Sequence, residues 1–589
     1  MTRCELHFEY QALHHAESIR VIELFPALNR DKPIIINLLE SLPNSPFHYE
    51  ALSYTWDDQT PTRDIICNEA SLRVTDNVFQ ALRQLRSGKG QRRNLWIDAI
   101  CINQKDQAEK TSQVSMMGNI YARADRVNVW LSRSTEAMRA LFEYVRLSTG
   151  SKLSFDRVSD AVLKDGLIQI SSHPYWTRAW TVQEVALNKN CWIYLGQLKP
   201  LKMLEFGVMF HDVEGYVNLR SEEITPPHAE YLYPVEQLMG KQAKIPLDVI
   251  FAYRALFPES IGQIEVNYQR HLIDVLKEFT SRIVPLLAKL GDLLETVSHC
   301  PDIPGAPSWI LNITGSGHVR RAEHYFGVWN ATGRLGALSL STANSPTTFR
   351  ISSGMETLHV KGIIVDRVAL ISDEFPHYLL DSQATWHQKV QDILIQWRTC
   401  TQNALAADFE NSVIDILFAA TNFGEKMADN VTVYDDDGTL LTNSVYKTYS
   451  VEDPPDRDFQ VAERQKKKEA RTFALREWLN NPNINYRLDR EEILSSVRSE
   501  HYSQPTIHSP ALGDRTLFVT SQGRMALGKN LQLNDAIALI AGCDVPFALR
   551  PVTQEKSYTL GLPVLLPGVM FGEVWPGNQD EGLEEIRIV

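Results

Sequence analysis

The sequence predicts an α/β protein with a mainly parallel sheet in its first 200 residues, a mostly helical middle and a small β-rich C-terminal unit. Three observations lead there. Between about 48 and 200, short apolar strands alternate with amphipathic segments of helix length, the pattern of parallel strands joined by helical crossovers. From 200 to about 400, long amphipathic stretches dominate, such as 270–290 and 385–405. From 511 onward, short strands punctuated by glycine return, as in a compact barrel or sandwich.

Taken in order, residues 1 to about 45 are a lead-in with one apolar run, Ile34–Ile36, between Pro33 and Asn37. The core of the first domain (1–200) runs from about 45 to 200. Tyr49 to Trp56 reads as a strand. Asn77 to Leu85 sets Val78, Ala81, Leu82 and Leu85 at helical spacing, with Thr75 or Asp76 as N-cap. Leu95–Trp96–Ile97 is a buried strand ending at Asp98, Gln107 to Tyr121 is a helix, and Val127 to Leu131 is the next strand. A helical pattern separates these two strands, so a right-handed crossover is expected between them and not a hairpin. A helix at about 175–188 precedes the strand Cys191 to Leu195.

The middle region, 201–425, carries a β-type insert at 349–370, where Thr357 to Val360 alternates. Residues 426–510 hold Asp435–Gly438, Pro454–Pro455 and a charged stretch at 461–478. They offer little apolar surface to offset ordering entropy, and are expected to be the most mobile and first cut by protease. Strands at Leu517–Val519, Ala536–Ile540, Phe547–Leu549 and Val564–Leu566 define the last unit, 511–589.

The 589 residues are 44% hydrophobic with a formal net charge of −13, enough apolar content for several cores. Acidic and basic residues interleave, and the one dense basic run is Lys466–Lys468, so nucleic acid is not an expected partner. The seven cysteines are scattered without a Cys-x-x-Cys pair, which argues against a zinc ribbon or a disulfide framework. His14–His15 has no companion acids or thiols, so no metal is expected. No run of about 18 apolar residues occurs and the first residues lack a signal-peptide core, so a cytoplasmic protein is expected. Walker A, Gly-x-Ser-x-Gly and His-Glu-x-x-His motifs are missing in any fitting context.

Three stretches are specific. The first is Tyr49-Glu50-Ala51-Leu52-Ser53-Tyr54-Thr55-Trp56. The second is Leu95-Trp96-Ile97-Asp98-Ala99-Ile100-Cys101-Ile102-Asn103-Gln104, continued by Glu109, Gln113, Met117, Ile120–Tyr121 and Ala124. The third is Trp176-Thr177-Arg178-Ala179-Trp180-Thr181-Val182-Gln183-Glu184-Val185-Ala186. In this order they resemble the HET (heterokaryon incompatibility) family of filamentous fungi, with Asp57 where the family usually has Gly after the Trp. Pro307–Ser308–Trp309 and the glycines near the end resemble further elements of full-length members. HET domains are in turn similar to TIR domains: Trp180-x-x-x-Glu184 resembles the TIR Trp-Cys-x-x-Glu helix, with Thr181 in place of the Cys. The resemblance implies a TIR/flavodoxin-like sandwich whose ligand crevice lies at the C-terminal strand ends.

The same resemblance implies an effector or regulator of non-self recognition and programmed cell death, with NAD⁺ as a substrate and no other cofactor. Glu184 is then the catalytic carboxylate, and Ser53, Trp56, Asp98, Cys101, Asn103, Gln104, Trp176, Arg178 and Trp180 are candidate substrate contacts. Two other classes stand beside that reading. One is a non-enzymatic module that assembles with other incompatibility or signalling proteins, or with itself. The other is a small-molecule enzyme on the same fold.

Each candidate also has a purely structural reading. Asp98 at a strand end can hold a ribose hydroxyl or cap its own turn. Cys101 has no His beside it to ionise it, as a half-buried structural thiol would not. Asn103 and Gln104 can bind a ligand or hold their loop. Arg178 and Glu184 lie roughly 240° apart around a helix at about 100° per residue, whereas Trp176, Trp180 and Glu184 form a stripe. That stripe is either a carboxylate between indoles or a core face with Glu184 paired to an arginine such as Arg178.

Overall fold

The computed structural model describes residues 6–29, 31–42, 47–56, 60–88, 90–131, 134–147, 161–203, 241–257, 260–286, 290–298, 300–314, 349–374, 392–393, 515–543, 545–553, 556–569, 574–576 and 582–589. They fall into two compact units, residues 1–286 with 311–318, and residues 287–310 with 319–589.

The first unit is built on a nine-stranded sheet. Its strands are β1 (Ile19–Leu24), β2 (Ile35–Ser41), β3 (Glu50–Tyr54), β4 (Arg63–Cys67), β5 (Ala70–Val74), β6 (Arg93–Trp96), β7 (Val127–Trp130), β8 (Cys191–Tyr194) and β9 (Leu201–Lys202), in the spatial order β5-β4-β2-β1-β6-β3-β7-β8-β9. At its centre β6, β3, β7 and β8 run parallel, with Ala51 opposite both Trp96 and Val127, and Trp130 opposite Tyr194. As expected, β6 and β7 do not form a hairpin, for β3 lies between them. In chain order the four stand second, first, third and fourth, so the winding reverses beside β3, where open α/β sheets leave a crevice.

Helices connect these strands. α1 (Asp76–Leu85) has Thr75 as N-cap, its hydroxyl accepting from Val78 N–H, and it buries Val78, Ala81, Leu82 and Leu85. A single turn, α2 (Asp98–Cys101), leads to α3 (Gln107–Arg123), which Asp106 caps by accepting from Ala108 and Glu109 N–H. α4 (Glu136–Leu147) and α5 (Ala161–Ser171) pack together, and α6 (Ala179–Ala186) follows. The helices α7 (Pro246–Phe251) and α8 (Leu272–Ile283) complete the described part of this unit.

The expectation of a mainly parallel sheet is corrected. β1–β2, β1–β6, β4–β5 and β8–β9 are antiparallel, so the sheet is mixed. β1–β2, β4–β5 and β8–β9 are hairpins, whose short links allow only antiparallel pairing, while β2 and β4 pair in parallel. The supposed lead-in supplies β1 and β2, with Val21, Ile22, Leu24 and Ile36 in the core. β4 and β5 turn on Asn68 and Glu69, both at positive φ (48° and 66°), as a two-residue hairpin loop requires.

Among its described residues the second unit has α9 (Leu290–Ser298) and the strands β10 (Phe349–Ile351), β11 (Leu358–Glu374), β12 (Thr516–Thr520), β13 (Met525–Gly528), β14 (Ala536–Ile540), β15 (Phe547–Pro551), β16 (Ser557–Pro563) and β17 (Glu584–Ile588). β11 pairs with both β14 and β17, and β17 returns to β16, so β11, β14, β15, β16 and β17 close a ring. The segment read as an insert in a helical middle, 349–370, is thus part of the C-terminal β unit. Ser308 of the Pro-Ser-Trp element joins the same unit: its N–H and hydroxyl donate to Val589 O at 3.1 and 2.6 Å, and Trp309 is fully buried. The expected helix at 385–405 lies largely outside the described residues, and the expected mobile stretch 426–510 wholly so. No helix among the described residues is long and apolar enough to cross a membrane.

Candidate functional site

Glu184, Ser53 and Asp98 come together where the parallel strands end. β3 carries Ser53 and Tyr54 to the C-terminal edge of the sheet, and β6 delivers Asp98 beside them. Asn77 braces this edge. Its amide donates to Thr55 O (2.8 Å) and its oxygen accepts from Trp130 Nε1 (2.7 Å), tying the exits of β3 and β7 to α1. α6 packs against β3 and brings in Glu184, which is only 4% exposed.

The Ser53 hydroxyl donates to Glu184 Oε2 at 2.5 Å and lies 2.5 Å from the Tyr175 hydroxyl. Since its own proton goes to Glu184, Ser53 accepts from Tyr175. Tyr121 also hydrogen-bonds Glu184, while its hydroxyl donates to Leu52 O at 3.0 Å. A phenol has one proton to give. Given to Glu184, that proton favours the ionised carboxylate. Burial opposes this and prevails, pushing Glu184 from its ordinary 4.5 up to about 8, and the negative charge of Asp98 adds to the shift. Ser53, Arg178 and Tyr121 act against the shift.

Asp98 accepts from Trp56 Nε1 at 2.9 Å and from Ala99 N–H at 2.7 Å, and Tyr54 also hydrogen-bonds it. Burial raises its affinity for a proton, offset first by the charge of Arg178. Arg178, half-buried, donates to Tyr54 O at 2.6 Å and faces both carboxyls as a charge, without an ion pair to Glu184. The structure thus groups Ser53, Trp56, Asp98, Arg178 and Glu184. Trp56, 39% exposed, is the part of the group most open to solvent.

The other candidates are turned elsewhere. Cys101 is fully buried, and burial pushes its thiol well above the ordinary range, so it is unsuited to ionise. Asn103 N–H donates to Glu109, its side chain accepts from Lys105 N–H, and Gln104 Nε2 donates to Asp98 O at 3.2 Å, so both hold the loop. Trp176 is buried and gives its indole N–H to Ile170 O at 2.7 Å, and Trp180 gives its own to Asp248. The stripe of two indoles beside Glu184 is therefore not formed, because Trp176 sits in a three-residue-per-turn segment (Pro174–Thr177) ahead of α6, which rotates it off the helix face.

The residues that sequence reasoning passed over are Tyr54 and Tyr121, which contact the carboxyls, Tyr175, which bonds Ser53, and Asn77, Asp248 and Tyr268. Burial likewise raises Asp248, which accepts from Tyr268 at 2.7 Å and faces Lys110 and Arg178 as charges. Among the described residues no group of three or more His, Cys, Asp or Glu could hold a metal ion.

A doubly wound set of parallel strands with two carboxyls whose proton affinity burial raises, and an arginine, at its C-terminal edge defines an α/β domain built around a polar strand-end site. The family model of heterokaryon incompatibility proteins (HET) matches residues 49–184, a span containing all of Ser53, Trp56, Asp98, Arg178 and Glu184. The chain is also similar to Heterokaryon incompatibility protein 6, OR allele, of Neurospora crassa, at 37% identity over 130 residues. That alignment covers 20% of this chain and 19% of the relative, about a fifth of each. Residues 49–184 of this chain are therefore similar to the HET family, and the chain spans about a fifth of the length of the curated relative it matches. No solved structure matches.

Proposed function

We propose that the chain acts in fungal heterokaryon incompatibility, as an effector or regulator of non-self recognition and programmed cell death, through a TIR-like first domain that cleaves the nicotinamide–ribose bond of NAD⁺. What supports this reading most is the Glu184 carboxyl held on Ser53 at the end of β3. Nicotinamide leaves as a neutral ring from a cationic one, so no general acid is needed, and positive charge develops on the ribose. An ionised Glu184 beside the sugar stabilises that charge with Tyr121 next to it; a water molecule then adds to the ribose carbon and releases its proton to solvent, giving nicotinamide and ADP-ribose. Asp98 and Trp56, nearer the surface, are the contacts for the rest of the nucleotide. NAD⁺ is then the substrate, and no other cofactor is invoked.

A second reading has its own support. Glu184 is 4% exposed and Ser53 fully buried, so the site is closed in this conformation. A non-enzymatic module that signals by assembling with other incompatibility proteins, or with itself, needs no open site. Nicotinamide release from NAD⁺ by the purified full chain separates the two.

A further inference from the structure

The closure of the site rests on one short piece of chain. Tyr175, fully buried, stands on Pro174–Thr177, and its hydroxyl takes the place at Ser53 that a ligand hydroxyl would need. This turn runs into α6 at Arg178, whose side chain makes no cap hydrogen bond. The first N–H groups of a helix need partners from outside it. Here Gln242 O accepts from Ala179 N–H (3.0 Å), and the same strap donates to the turn before it, Gln242 N–H to Thr177 O (2.5 Å) and Lys241 Nζ to Trp176 O (2.7 Å). Gln242 is exposed and Lys241 half-buried, so the ties lie where water competes for them, while the groups they keep shut are at most 4% exposed. Beneath the strap the turn is also tied by Trp176 Nε1 to Ile170 O and by Thr181 Oγ1 to Tyr175 O, so the strap's bonds are its solvent-side restraint, the part that yields first in a local opening.

We propose that the 241–242 strap is a latch on the site. Seated, it holds the 174–177 turn down and Tyr175 on Ser53, excluding ligand from Glu184. Released, it lets Tyr175 leave and exposes Ser53 and Glu184 to a hydroxyl-bearing ligand. The proposal rests on the reading of Glu184 as the working carboxylate, and its test keeps the two apart.

The test uses the full chain with Lys241→Met, which removes the ammonium donor, and Gln242→Pro, which removes the N–H given to Thr177. Hydrogen exchange and nicotinamide release from NAD⁺ are both measured. Exchange over 174–184 should accelerate about tenfold in Gln242→Pro and several-fold in Lys241→Met, with β3 and β7 unchanged. Nicotinamide release should rise in the same order and vanish when Glu184→Gln is added. Unchanged exchange over 174–184 in both variants overturns the latch, as does faster exchange with wild-type turnover left unaltered. Faster exchange with no nicotinamide released by any form supports the latch and overturns the catalytic reading.

Discussion

Replacing Glu184 by Gln changes one atom and keeps the shape, and the structure assigns a pH-dependent consequence to it. The carboxyl is buried between Ser53 and Tyr121 and holds its proton up to about 8, against an ordinary value of 4.5. Unfolded chains lose that proton above about 4.5 while the folded chain keeps it, so the unfolded state binds fewer protons and stability falls as pH rises. The contribution is complete below about 4.5, drains through the interval to about 8, and is flat beyond it. At about 1.4 kcal/mol per pH unit the ceiling is roughly 5 kcal/mol. Relaxation around the buried carboxyl reduces it to roughly 2–4 kcal/mol. A glutamine amide accepts from Ser53 as the protonated acid does, and it carries no charge at any pH. Glu184→Gln should therefore match the parent near pH 5 and exceed its stability near pH 9. Urea unfolding of the full chain, followed by tryptophan fluorescence at the two pH values, reads the difference. A variant destabilised equally at both would refute the reasoning and make Glu184 an ionised structural partner.

Two further outcomes concern the scaffold. Arg20 donates to both oxygens of Glu109 (2.5 and 2.9 Å) in a nearly buried pair, and also to Cys101 O. Arg20→Met strands the Glu109 charge and should cost roughly 3–5 kcal/mol, while Arg20→Met with Glu109→Met should recover most of it in denaturant titrations. Gly118 on α3 would place an added Cβ 2.2 Å from Ala255 Cβ, so Gly118→Ala should lower stability by about 1–3 kcal/mol despite its helix propensity. Adding Ala255→Gly should restore it, which differential unfolding of the single and double variants checks.

The parallel strands were legible because each is a short apolar run followed by a helix-length pattern, and Thr75 was legible as a cap because a hydroxyl precedes the periodic residues. β1 was not, since Ile19–Leu24 alternates with Arg20 and Glu23, and Arg20 is buried only because Glu109, 89 residues away, meets it. The β4–β5 hairpin was missed because its turn uses Asn68–Glu69 and no glycine. In the site, Glu184 and Ser53 were reachable through the motif, and Asp98 through its place at a strand end. The three tyrosines lay within or beside the quoted stretches, but which of them donates to a carboxyl depends on strand order. Asp248 carries no local signal at all. The two-indole stripe failed for a local reason: helical spacing was carried back through Arg178, where α6 begins.

The central claim is that Glu184 works on the ribose of NAD⁺ at the end of β3. Nicotinamide release by the purified full chain, with and without Glu184→Gln, tests it most directly. Release is expected from the parent, rising with pH as Glu184 loses its proton near 8, and absent from the folded Glu184→Gln protein. Equal release by both forms, or none by the parent after the 241–242 strap is freed, would contradict it.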